Sequence, residues 1–191
     1  MNKNKFKLIA VILLFVMVGC FFVLNKKVKI INPNRVNSFE ACVDAGYPVQ
    51  ESFPRQCTTP SGKNFVEDIG NEFRKWDVIK IASPRPNQEI QSPLTIEGSA
   101  KGAWFFEAQF PIKLLDGNKK VIATSEAYAQ GDWMTEDFVS FNAVIEFEKP
   151  KTKKGTLILG KDNPSGLAQN NDELIVPVSF ADDPFEIFDI L

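Results

Sequence analysis

Apolar positions along this chain fall into three patterns. Residues 8–24, LIAVILLFVMVGCFFVL, form an unbroken apolar run; residues 38–69 mix short apolar and polar stretches around two cysteines; and from about residue 78 onward apolar and polar residues alternate. The alternation is sharpest between Ser92 and Gly117. There Leu94–Gly98 and Phe105–Leu115 flank a small-residue turn, and Phe106, Ala108, Phe110, Ile112 and Leu114 alternate against Glu107, Gln109 and Lys113. A period of two puts the first set on a buried strand face and the second in water, so Phe106, Phe110 and Leu114 are assigned to a core.

The same period marks further strands at Val78–Ala82, Lys120–Ala127, Val139–Phe147, Thr156–Gly160 and Glu173–Phe180. Turn residues separate them at Pro84–Asn87, Asp116–Asn118, Lys149–Gly155 and Asn163–Gly166. Val139, Phe141, Ala143, Ile145 and Phe147 share one face, as do Leu174, Val176, Val178 and Phe180, and the opposite faces read as mostly polar. Pro111 and Pro177 cannot donate to a ladder, so their strands are expected to be at an edge or bulged there. Seven strands in about 100 residues is the count of an all-β, immunoglobulin-like β-sandwich.

The apolar run 8–24 is long enough, at the short end, to cross a bilayer as a helix. Three lysines precede it and three follow, so orientation rests on the very short N-terminal tail and on the cysteines. The reading is an uncleaved single-pass anchor with the body outside. The alternative lies within the run: Met17-Val18-Gly19-Cys20 resembles a bacterial lipobox, which implies lipidation of Cys20 and a lipoprotein, although Phe21–Leu24 follow where polar or small residues are usual. Both readings tether the body. The predicted organisation is an anchor over residues 1–30, a two-cysteine element over 31–69, a linker over 70–78, the sandwich over 79–181 and an acidic, hydrophobic tail over 182–191.

In the two-cysteine element, Asn37 or Ser38 caps a helix over Phe39–Ala45 that Gly46 ends, and strands are expected near Val49–Phe53 and Asn64–Glu67. Cys42 and Cys57 lie 15 residues apart in a segment too small to bury its own core. A disulfide is the simplest account, stabilising by about 3 kcal/mol if loop closure dominates; free thiols are the alternative.

Charge and composition narrow the function. Of 22 basic residues six lie in the first 30, where no acid occurs, so the remainder carries 16 against 24 acids, a net of about −8. No nucleic-acid partner is expected, because phosphate backbones select clustered Lys and Arg. The chain has no histidine, which removes Ser-His-Asp and Cys-His catalysis and His-ligated zinc. The acidic clusters Asp132/Glu136/Asp137, Asp162/Asp172/Glu173 and Asp182/Asp183/Glu186/Asp189 lack EF-hand spacing and read as solvated loops, with calcium near Asp162 and Asp172 as a minor alternative. No metal, cofactor or catalytic residue is assigned.

Partner surfaces are then the remaining candidates. Trp104 and Phe105 either seal the sandwich end or form a contact surface with Trp133 and Met134. Phe185 and Phe188 in the tail either dock on the domain or engage a partner. The lysine-rich turn Lys149–Gly155 is a soluble tip or a contact for anionic polymer or headgroups.

Ser92-Pro93-Leu94 leading to Gly98, then Gly102–Glu107, Asp116-Gly117, Phe138–Phe147, Gly155-Thr156-Leu157, Asn163–Gly166 and Val176-Pro177-Val178 together resemble Gmad2, the immunoglobulin-like domain of bacterial spore germination, over roughly residues 79–181. The resemblance implies a β-sandwich module of bacterial envelope and germination-related proteins with no established catalytic site. The expected function is a non-catalytic, membrane-anchored extracytoplasmic binding or structural module, its partner an envelope protein or cell-wall polymer. The alternatives are a carboxylate-dependent envelope enzyme or carbohydrate-active accessory, and a protease inhibitor presenting Arg55.

Overall fold

A computed structural model of the chain describes residues 36–182. The apolar run with Cys20, and the tail positions Phe185 and Phe188, lie outside the described residues. Among the described residues no helix is long and apolar enough to cross a membrane. The chain divides into two compact units, the first ending at Val66 and the second starting at Glu67.

The first unit is built on its cysteines. Ser38 caps helix α1 (Phe39–Asp44) by accepting the Ala41 N–H at 3.1 Å, and Gly46, at φ 76°, turns the chain out of it. Three short strands follow, β1 (Val49–Gln50), β2 (Gln56–Thr58) and β3 (Asn64–Val66), in the order β1-β2-β3. Cys42 on α1 is bonded to Cys57 on β2, with Cα atoms 6.0 Å apart, and both are fully buried beside Val36 and Phe39. So small a cluster cannot hold a helix to three strands by apolar area alone, and the crosslink supplies the remainder.

The second unit is one continuous eight-stranded sheet that curls on itself and resembles an immunoglobulin-like sandwich. Its strands are β4 (Ile79–Ser83), β5 (Glu89–Ile90), β6 (Leu94–Lys101), β7 (Gln109–Asp116), β8 (Val121–Ala129), β9 (Phe138–Ile145), β10 (Lys154–Gly160) and β11 (Glu173–Phe180), in the order β4-β6-β9-β8-β7-β10-β11-β5. One layer is β4, β6 and β9, the other β7, β10 and β11. Strand β8 passes between them, pairing with β7 from Gln109 to Leu115 but with β9 only at Tyr128 and Ala129. The layers meet through Phe110 on β7 and Phe141 on β9, edge to face at 4.9 Å, and the core continues through Ile96, Ile112, Leu157 and Val176.

Strand β5, two residues long and parallel to β11, is the strand the alternation did not predict. The segment expected as a linker, 70–78, is also part of this unit. It carries helix α2 (Glu72–Lys75), and Asn71 beside it acts as a substitute strand against β11: its N–H donates to Ile175 O, its Nδ2 to Glu173 O, and its Oδ1 accepts the Ile175 N–H at 2.7 Å. The fully buried Glu72 carboxylate receives both guanidinium nitrogens of Arg85, at 2.7 and 3.1 Å. These contacts explain Pro177. Ile175 presents its N–H and C=O to Asn71, and Pro177 O accepts the Asn87 N–H, so by the period of two the missing Pro177 donor faces this outer edge rather than the ladder with β10. Pro111 lies one residue beyond the last β7–β10 pair, Ile112↔Leu159.

Candidate binding face

In the aromatic run at 104–106, Phe106 departs from its sequence reading, while Trp104 and Phe105 take the sealing place of the two expected for them. Glu107 (φ 51°) and Ala108 (φ 63°) form a two-residue turn with left-handed backbone, across which Phe106 and Gln109 exchange hydrogen bonds at 3.0 and 3.1 Å. The strand therefore starts at Gln109, and the alternation does not extend back through the turn. Phe106, expected in the core, is 40 % exposed, while Trp104 and Phe105, candidates for a partner surface, are buried at 2 and 4 % exposure. They seal this end of the sheet, Phe105 lying 5.3 Å from Phe110. The Trp104 indole N–H has no acceptor among the described residues. Of the remaining surface candidates, Trp133 packs half-buried against the core and Met134 is exposed.

The acidic positions do not converge: among the described residues no group of three His, Cys, Asp or Glu side chains is placed to hold a metal ion. The Glu126 carboxyl has its pKa raised, by desolvation first and then by the neighbouring Asp162 charge. In the lysine turn, Thr152 Oγ1 accepts the Gly117 N–H at 2.9 Å and donates to Lys154 O, tying the turn to its neighbour. Arg55 lies over the Phe39 ring at 5.3 Å as part of the first unit's own packing.

A set of polar side chains does converge, on the outer face of β4, β6 and β9. Inward positions of these strands are apolar, so their partners in the pleat point out in rows: Lys101 beside Phe138; Lys80, Ser99 and Ser140; Glu97, Asn142 and Tyr128. Between the rows runs an open trough of about 460 Å³, within the roughly 300–1,000 Å³ of small-ligand sites. Beneath it Gly98, at an inward position of β6, leaves room for the buried Phe141 ring, since any Cβ there would strike that ring and the Lys80 carbonyl oxygen. Gln130 Nε2 donates to Tyr128 O and to Asn142 Oδ1, at 2.9 and 3.1 Å, fixing the Asn142 amide. Lys80 Nζ lies 4.2 Å from the centre of the Phe138 ring and 5.2 Å from that of Trp76, and Lys101 Nζ is 4.7 Å from Phe138. Both ammonium groups are thus held by cation–π contacts at one end of the trough.

This arrangement presents hydroxyl, amide, carboxylate and ammonium groups on one open face. Residues 78–168, from the lead into β4 to the loop after β10, match the family model Gmad2, immunoglobulin-like domain of bacterial spore germination. The chain carries a Gmad2 domain. No curated protein and no solved structure matches the chain. The folded unit reaches beyond the matched residues, because β11, with Leu174, Val176 and Val178 in the core, completes the sheet. The trough residues all lie within the match; Trp76, on its rim, precedes it.

Proposed function

We propose that this protein is a membrane-tethered, extracytoplasmic and non-catalytic binding or structural module of a bacterial envelope. The observation that carries the reading is a Gmad2 domain that follows a disulfide-bonded element in the chain, since such bonds persist in oxidising compartments. The apolar run 8–24 supports the tether, and the absence of histidine from the chain narrows the chemistry towards binding. In this reading residues 1–30 anchor, 31–69 form the oxidised element, and the Gmad2 domain presents its outer face to an envelope protein or cell-wall polymer.

Membrane flotation after a carbonate wash, combined with alkylation before and after reduction, tests it. The full chain is expected to float, with Cys42 and Cys57 alkylated only after reduction, and a chain lacking residues 1–30 to stay behind. A washed-off full chain with both thiols free in cells would overturn the reading.

A further inference from the structure

We propose that the outer face of β4, β6 and β9 binds a glycan strand bearing carboxylate substituents. The inference names a ligand for the envelope module and rests on that reading for where such a strand is met.

Adjacent strands are about 4.8 Å apart and like-facing residues about 6.7 Å apart along each strand. The trough therefore presents the hydroxyls of Ser99 and Ser140, the amide of Asn142 and the carboxylate of Glu97 as a grid of separated donors and acceptors. Glu97, Ser99 and Ser140 have no side-chain hydrogen bond assigned among the described residues. A sugar ring matches such a grid, because its hydroxyls project from the rim at several points while its C–H face is weakly positive. That face needs an aromatic ring, whose π surface is negative. Two rings flank the trough: Tyr128, 52 % exposed, beside Asn142, and Trp76, 50 % exposed, beside Lys80.

Charge selects among glycans. The body of the chain is acidic, yet Lys80 and Lys101 are fixed over Phe138 at one end of the trough, with Glu97 as the acid in its lining. A carboxylate on the ligand would meet those ammonium groups while neighbouring hydroxyls meet Glu97 and Asn142. The open form of the trough suits a chain running along it. An apolar peptide would find no matching subsite, since the positions between the two rings are polar.

The test is calorimetric titration of the full chain in detergent micelles with peptide-free glycan strands from bacterial peptidoglycan, whose alternate sugars carry lactyl carboxylates. Saturable binding is expected. Asn142→Ala and Trp76→Ala should each weaken it by about tenfold, Lys80→Gln should flatten its salt dependence, and Lys151→Gln, in the lysine turn, should leave it unchanged. All these side chains are at least partly exposed, so melting temperatures near the parent's verify folding. Absence of binding at millimolar strand concentrations, retention of parent affinity by folded trough variants, or transfer of the loss to Lys151→Gln would overturn the proposal. A chain that floats with membranes yet ignores these strands leaves the envelope reading standing; one that binds strands but washes off membranes keeps the site and removes that reading.

Discussion

Single residues decide how side chains pack beneath the β4, β6 and β9 layer of the Gmad2 domain. At Gly98 a Cβ would lie 2.5 Å from Phe141 Cζ and closer still to the Lys80 carbonyl oxygen. Gly98→Ala is therefore expected to cost about 1–3 kcal/mol as an overpacked site, read as a lower midpoint in urea unfolding. Glu126 gives a pH-dependent effect of defined sign. Its pKa is raised in the fold by desolvation and by Asp162, so the ionised form is disfavoured there and the penalty is fully present above that raised pKa. Protonation relieves it as pH falls through the folded and then the unfolded value. Glu126→Gln should melt no lower than the parent at pH 7, with any advantage shrinking towards about pH 4; a variant that is less stable at pH 7 would contradict the assignment. At this scale sequence reading was weakest. Phe106 belongs to the alternation in the text, but the left-handed backbone at Glu107 and Ala108 leaves no mark that periodicity detects, since neither residue is Gly or Asn. The same text left Trp104 and Phe105 between sealing the sheet end and a contact surface, and their burial places them at the seal.

Elements were more legible. Period-two text located seven of the eight strands of the second unit, and the Ser38 cap and Gly46 located α1 to within a residue. The elements missed are those without periodicity: β5 is two residues paired to β11, and the segment 70–78 is held by one buried amide and one buried ion pair. Asn71→Ala removes both side-chain bonds to β11 and leaves the Ile175 N–H and Glu173 C=O without that partner. A loss of about 1–3 kcal/mol is expected, with faster hydrogen exchange at Ile175 as the local signature; unchanged exchange there would mean that β11 needs no such cover. The outer faces of the strands differed from expectation as well. That of β4, β6 and β9 is mostly polar, as predicted, with Phe138 and the exposed Val144 as apolar positions, but that of β7, β10 and β11 carries Leu115, Ile158, Ile175 and Pro177 at half-buried positions. The trough itself was not readable beforehand. Lys80, Ser99, Ser140 and Asn142 sit on three strands up to 62 positions apart in sequence, and only the register β4-β6-β9 makes them neighbours.

For the whole molecule, an apolar N-terminal run precedes a crosslinked element and a Gmad2 domain whose converging polar side chains lie on a sheet face. Its acidic body, about −8 beyond the first 30 residues, makes the two fixed ammonium groups at the trough a local exception to the domain's field. The central claim is that this face is outside the cell. Protease treatment of intact cells, followed by blotting for an epitope placed after Asp182, tests it most directly. The account predicts loss of the epitope while a cytosolic marker stays whole. An epitope preserved until the cells are lysed, and digested only then, would contradict it.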